Sequence, residues 1–127
     1  MADEITFVSK DLSSLNSFGV PVKAERFIEI NDPEVIPTVF NALKGEKPLL
    51  LGGGSNILFT TDPREVVVAM RIKGIVECED EDEIHLHVGA GENWHEFTQY
   101  CVERGWGGVE NLSLIPGNVG TAPVQNI

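Results

Sequence analysis

Pro48-Leu49-Leu50-Leu51-Gly52-Gly53-Gly54-Ser55-Asn56 is the stretch whose reading decides how this chain folds. The leucines read as a short buried strand, and the strand runs straight into three glycines. Consecutive glycines free the backbone for positive φ and let another group come close. Successive N–H groups in such a loop can form a nest for phosphate oxygens. Ser55 and Asn56 add side-chain donors. A plain tight turn would use the same residues, so the loop alone leaves both readings open. A P-loop is excluded, because Ile57 and Leu58 stand where Lys and Ser or Thr are needed. A Rossmann fingerprint is excluded too: Ile57 replaces the third small residue, and Ile57-Leu58-Phe59 looks extended rather than helical. Gly89-Ala90-Gly91-Glu92-Asn93-Trp94 fails the same test at Trp94.

Upstream, Asn16-Ser17-Phe18-Gly19-Val20-Pro21 reads as a turn feeding a strand over Ala24–Ile30, with the first fifteen residues a loosely held leader. Asn31-Asp32-Pro33 is a helix start, and the spacing of Val35, Ile36, Val39 and Leu43 carries the helix to about Lys44, with Gly45 as its stop. Pro37 is compatible only with a late start or a first turn lacking one bond. Downstream, Val66–Met70 is an apolar run expected of a strand covered on both faces. The order is strand, helix, strand, glycine loop, strand.

A second unit begins near Arg71. Gly74–Glu77 reads as a strand, and Glu83–Val88 alternates, with Ile84, Leu86 and Val88 on one face and His85 and His87 on the other. Between them, Glu77-Cys78-Glu79-Asp80-Glu81-Asp82-Glu83 holds six carboxylates in seven positions, a pattern read as a solvated hairpin turn because no calcium-loop glycine accompanies it. His85 and His87 lack a third ligand for a metal. Asn93 and Glu96 form a capping pair for a helix whose apolar stripe is Trp94, Phe97, Cys101 and Val102, ended by Gly105. The last stretch, Leu114–Ile127, mixes two Pro and two Gly with apolar residues and reads as a shaped, buried loop; its abrupt apolar ending reads as a chain cut in mid-fold.

Composition bounds the function. The chain has 127 residues, 42% apolar and 23% charged, within the range of one globular domain or two small lobes. Nine basic against twenty acidic residues give a formal charge of −11, which argues against nucleic acid or an anionic membrane as partner. Oriented backbone N–H groups still allow a small anionic ligand. No apolar run approaches the roughly 20 residues of a membrane span, and no secretory signal opens the chain. Cys78 and Cys101 show no framework spacing and suit free thiols in a reducing cytoplasm, although the spacing also permits one disulfide.

The motifs together resemble one family. Asn16-Ser17-Phe18-Gly19, Leu50–Phe59, Arg71-Ile72-Lys73-Gly74-Ile75, Leu86–His95, Gly108–Gly117, Val119-Gly120 and Pro123–Ile127 fall in the order seen in the amino-terminal part of the UDP-N-acetylenolpyruvoylglucosamine reductase (MurB) family. Ser17 stands where that family usually has Thr, and Thr121-Ala122 where it often has Ser-Ser. The resemblance implies an α+β, PCMH-like FAD-binding domain of two small lobes, residues 16–70 and 71–127, the second incomplete. It implies FAD as cofactor, NADPH as co-substrate and a nucleotide-sugar substrate. Gly52, Gly53, Gly54, Ser55 and Asn56 would hold the FAD diphosphate. Ile115, Pro116, Gly117, Gly120, Thr121, Ala122 and Gln125 would line the flavin from the other lobe. The family's proton-donating Ser, active-site Arg and catalytic Glu have no counterpart among these residues, so no catalytic residue is assigned and the chain alone is expected to be inactive. An open cleft and apolar tail would favour self-association. A different flavoenzyme of the same superfamily and a non-enzymatic binding module are the rival readings.

Overall fold

The computed structural model describes residues 4–127. Four strands, β1 (Val8–Asp11), β2 (Lys23–Ile30), β3 (Leu49–Leu51) and β4 (Val67–Met70), form one sheet in the order β1-β2-β4-β3. β2 and β3 both run parallel to β4, while β1 is antiparallel to β2. β4 is therefore central, and Val67, Val68 and Ala69 are buried, as expected for an apolar strand covered on both faces.

Each face has its own core. On one side, helix α1 (Ile36–Ala42) lays Val39 and the following Leu43 against Ile30, Val66 and Val68. On the other, Leu12, Val22, Ala24, Phe27, Leu51 and Phe59 pack on Val67 and Ala69. Ala24 and Phe27 share that face although they lie three apart, because the β1–β2 register shifts between Val8↔Phe27 and Lys10↔Ala24. The extra residue of a bulge resets the alternation. Burial of a ring such as Phe27 stabilises by roughly 1.5–3 kcal/mol.

The helix start falls where the capping signal puts it. The Asp32 side chain accepts from the Glu34 N–H, a short 3₁₀ turn covers Pro33–Val35, and α1 begins at Ile36, so Pro37 sits in the first turn where its missing N–H costs nothing. Gly45 follows with φ +86°. Two expectations are corrected. The first fifteen residues are not a loose leader throughout: β1 pairs with β2, and Leu12 is fully buried. Ile57-Leu58-Phe59 opens no helix and belongs to the irregular β3–β4 connection, in which Phe59 anchors the core and Leu58 is exposed. Val102 is exposed, and Thr98 takes its place on the buried stripe.

After β4 come a hairpin, β5 (Ile75–Glu79) and β6 (Ile84–Val88), and helix α2 (Trp94–Glu103). Only Asp80–Glu83 of the acidic run forms the hairpin turn, where the Asp80 N–H donates to the Glu83 carbonyl; Glu77, Cys78 and Glu79 belong to β5, which runs past its expected end. Asn93 caps α2 by accepting from the Glu96 N–H at 3.0 Å. Trp94, Phe97, Cys101 and Ala122 form a smaller core with Leu86 and Val88 beside it. Next to it lies a cavity of about 560 Å³ lined by Leu86, Phe97, Cys101 and Trp106 among others. Burial pushes the Cys101 thiol up. Tyr100 donates its hydroxyl proton to Glu77, and that bond holds the phenol above its ordinary value. Both cysteines are free, Cys78 exposed and Cys101 buried. The tail ends in a 3₁₀ run, Val119–Gln125, and is less buried than its apolar content predicts: Ala122 is inside, but Leu114 and Val124 are exposed. Among the described residues no helix is long and apolar enough to cross a membrane, and no His/Cys/Asp/Glu group could hold a metal.

Candidate functional site

Gly52–Asn56 leaves the C-terminal end of β3, and no helix follows it. The loop is fixed from behind. The Ser17 N–H donates to the Gly54 carbonyl at 2.9 Å. That turn is itself rigid, because the buried Asn16 amide donates to the carbonyls of Leu12 and Val20 and accepts from the Val20 N–H. Arg71 Nη1 donates to the Gly52 carbonyl at 2.7 Å and to the Met70 carbonyl at 3.3 Å.

The facing wall is the tail, carried by two earlier segments. The N–H groups of Gly89 and Gly91 donate to the carbonyls of Gly74 and Ile72. Those of Val119 and Gly120 donate to the carbonyls of Glu92 and Ala90, and the Trp94 N–H donates to the Gly117 carbonyl. Three backbone segments are thus stacked at glycine distance: a Cβ on Gly91 would sit 2.6 Å from the Arg71 Cα, and one on Gly120 would sit 2.7 Å from the Ala90 Cβ. The first turn of α2 clips the tail in addition. The Trp94 indole N–H donates to the Leu112 carbonyl at 2.7 Å, and His95 Nδ1 accepts from the Leu114 N–H at 3.1 Å. Leu114 is held there at φ +62°, a conformation unusual for a leucine.

Loop and tail enclose a cavity of about 470 Å³, within the roughly 300–1,000 Å³ of ligand sites. All of Gly52–Asn56 line it, as do Gly120, Thr121 and Gln125. The other expected residues do not. Gly117 is buried between loop and tail, where a Cβ would meet Gln125 Nε2 at 3.0 Å and Ser55 Oγ at 3.2 Å. Ala122 belongs to the α2 core, Ile115 packs against that core, and Pro116 is exposed. Leu50, Leu51, Ile57, Met70, Ala90 and Val124 complete the wall, and the residue types alone do not mark them as site residues. The signal for Ala90 lies in the glycines flanking it, which admit it to the stack.

The glycines themselves are explained by packing. A Cβ on Gly52 would crowd the Thr121 methyl at 2.5 Å, and one on Gly53 would meet the Gly117 Cα and Asn118 Oδ1 at 3.2 Å. Gly54 has φ +70°, and its Cβ would overlap the Leu15 carbonyl. What points to an anion is the hydrogen-bond inventory. Among the described residues, the N–H groups of Gly53, Gly54, Ser55 and Asn56 donate to no protein backbone acceptor. Several unspent donors on one short loop fit a diphosphate. Apolar Leu50, Met70 and Val124 beside them fit a flat ring system or its linker.

Comparisons with known proteins agree with this geometry. Residues 27–127 match the family described as FAD binding domain. A UDP-N-acetylenolpyruvoylglucosamine reductase of Amoebophilus asiaticus is 48% identical over 119 residues, 91% of this chain and 35% of the relative. The Flavobacterium johnsoniae reductase of the same name is 45% identical over 118 residues, again 91% of this chain and 35% of the relative. That of Escherichia coli is 41% identical over 122 residues, 94% of this chain and 36% of the relative. The chain thus spans about a third of the length of these curated relatives. The crystal structure of UDP-N-acetylenolpyruvylglucosamine reductase (MurB) from Thermus caldophilus matches with a TM-score of 0.67 at 25% identity, covering 92% of this chain and 41% of that one.

Proposed function

The chain belongs to the FAD binding domain family, and from that premise we propose that it is the FAD-holding portion of a reductase that converts UDP-N-acetylglucosamine enolpyruvate to UDP-N-acetylmuramate with NADPH. The observation that carries the site assignment is the set of unspent N–H donors on the glycine loop, facing the tail across the cavity. Gly53, Gly54, Ser55 and Asn56 would hold the diphosphate through these donors. Gly120, Thr121 and Gln125 would contact the cofactor from the facing wall. Gly117, Ile115, Pro116 and Ala122 act one layer back, shaping that wall.

When bound, the flavin supplies hydride transfer. The residues of this chain bind it, orient it and exclude water from one side of it. None of them is assigned a proton-transfer role, so the 127 residues alone are expected to show no reductase turnover. NADPH oxidation that depends on the enolpyruvyl sugar, measured on this chain alone, would overturn that assignment. We divide the chain at Met70–Arg71 into a first lobe over 16–70 and a second over 71–127, and place the protein in the cytoplasm. A charge of −11 argues against nucleic acid or an anionic membrane as partner.

Titration of the chain with FAD, followed by quenching of flavin fluorescence, tests the reading. Saturable binding that inorganic pyrophosphate weakens is the expected result. No binding, or binding indifferent to pyrophosphate, would refute the assignment of the loop. The exposure of Phe18, Leu50, Leu58 and Val124 favours self-association of the chain. A single monomeric boundary in concentrated sedimentation runs would argue against it.

A further inference from the structure

Two peptide units of the glycine loop have their direction set by donors outside the loop. Arg71 takes the Gly52 carbonyl, and the Ser17 N–H takes the Gly54 carbonyl. In a planar trans peptide the C=O and the following N–H point opposite ways. The Gly53 N–H therefore points away from Arg71, and the Ser55 N–H points away from Ser17. Both residues line the cavity, and neither N–H has a backbone acceptor in the protein among the described residues. Without the pins, glycine's freedom would let either peptide flip and present a carbonyl oxygen to an incoming anion.

Of the two pins, only Arg71 is a side chain. It is half-buried, and among the described residues it makes no ion pair with a carboxylate. Its charge is thus left unneutralised next to the loop, in a chain whose net charge is strongly negative. Its backbone takes part in the glycine stack as well: Gly91 packs on the Arg71 Cα, and the Arg71 N–H donates to the Ile30 carbonyl. A guanidinium so placed can serve a loop that receives phosphate in two ways, by aiming the N–H groups and by offsetting the field.

We propose that Arg71 is the positioning residue of the phosphate-holding loop, acting through the Gly52 carbonyl to turn the Gly53 N–H toward the bound diphosphate. This rests on the FAD reading above and deepens it.

The test uses the 127-residue chain with Arg71→Met, which removes donors and charge but keeps an apolar stem, and Arg71→Lys, which keeps both. FAD affinity is measured alongside the amide resonances of Gly53 and Ser55 during titration with inorganic pyrophosphate. Arg71→Met is expected to weaken FAD by about tenfold or more and to abolish the pyrophosphate response at Gly53, with Lys restoring most of both. The melting temperature of the apo-protein should move little. FAD affinity and amide responses of Arg71→Met equal to wild type would overturn the proposal. Should the Met variant fail to fold, Arg71→Gln, neutral and shorter, carries the test: a folded Gln variant whose Gly53 responds as in wild type overturns it, and a silent one supports it. A wild-type chain whose Gly53 responds to pyrophosphate but which binds no FAD would sink the cofactor reading and leave the role of Arg71 standing. A wild-type Gly53 that does not respond would sink the role of Arg71.

Discussion

The two halves of the chain are built to different standards. Before Arg71, a four-stranded sheet is packed on both faces, and thirteen of the seventeen buried apolar residues among those described lie there. After it, a two-stranded hairpin, one helix and the tail bury four apolar residues among those described, Trp94, Phe97, Cys101 and Ala122, with a cavity beside them. A lone hairpin is marginal in water. The second half instead draws order from backbone: the stack of 71–74, 89–92 and 117–120, in which hydrogen bonds and glycine contacts replace side-chain burial. The candidate site lies where the well-packed half meets the backbone-stacked half, one side fixed by burial and the other by hydrogen bonds.

The largest expected effect tests the contrast directly. Phe27→Ala should cost about 3–5 kcal/mol and unfold the chain as a unit, because the ring is enclosed between β4 and the 12–22 turn. Phe97→Ala removes the same ring from a wall of the second cavity and should cost less, about 2–3 kcal/mol, since fewer partners are lost. Equal midpoint shifts in urea denaturation would break the comparison.

A smaller effect separates two glycines of one loop. Gly54→Ala combines a left-handed backbone with overlap on the Leu15 carbonyl and should destabilise the apo-protein by about 1–3 kcal/mol. Gly53→Ala meets only a tight contact with the tail, so its apo-stability should change by less than about 1 kcal/mol while FAD affinity falls. Calorimetry of the apo-variants with parallel flavin titration gives both numbers. A Gly53→Ala variant that melts early yet binds FAD normally would mark the loop as structural.

His95 sharpens the picture of the second half. Asparagine places an amide oxygen where imidazole Nδ1 accepts from Leu114, whereas glutamine places it further out. His95→Asn should leave the exchange rate of the Leu114 amide near wild type, and His95→Gln should raise it at a cost below about 1 kcal/mol. Similar rates in the two variants would show that this bond does not hold the tail.

The smallest effect is alkaline. The hydrogen bond to Glu77 holds the Tyr100 phenol above its ordinary value, and burial does the same to the Cys101 thiol. Both favour the neutral form in the folded state, so their contribution is complete below the unfolded values and fades as pH climbs past them. The melting temperature should sag above about pH 9, and Tyr100→Phe with Cys101→Ala should flatten the sag. An unchanged slope would remove these groups from the account.

Much of this was readable from residues one turn or one strand apart. Asp32-Pro33 and Asn93 with Glu96 mark the helix starts, and Val66–Met70 announces a doubly covered strand. The failures have physical causes. Val8–Asp11 has no alternation because every side chain of β1 is exposed; only its pairing with β2 makes it a strand. Val102 continues the apolar spacing of α2 but faces solvent, because Thr98 satisfies its hydroxyl on the Trp94 and His95 carbonyls and fills the buried stripe instead. At the site, the glycine loop stands out in the sequence, but its pins do not. Ser17 and Arg71 lie far from the glycines in sequence, and nothing local in either residue shows that it will hold a carbonyl there. The half of the tail that lines the cavity was named with the half that shapes it, because residue types alone do not tell front from back.

The distance along the chain between loop and tail has a consequence in time. Contacts between residues so far apart in sequence form late, because a long loop must close before they give any return. During synthesis the amino-terminal residues emerge first and organise as a unit. The four strands can therefore close around Val67–Ala69 while the residues from Gly117 onward are still being added. Through that interval Gly52–Asn56 is held by its rear pins and has nothing opposite it, so the binding face matures after the sheet that carries it.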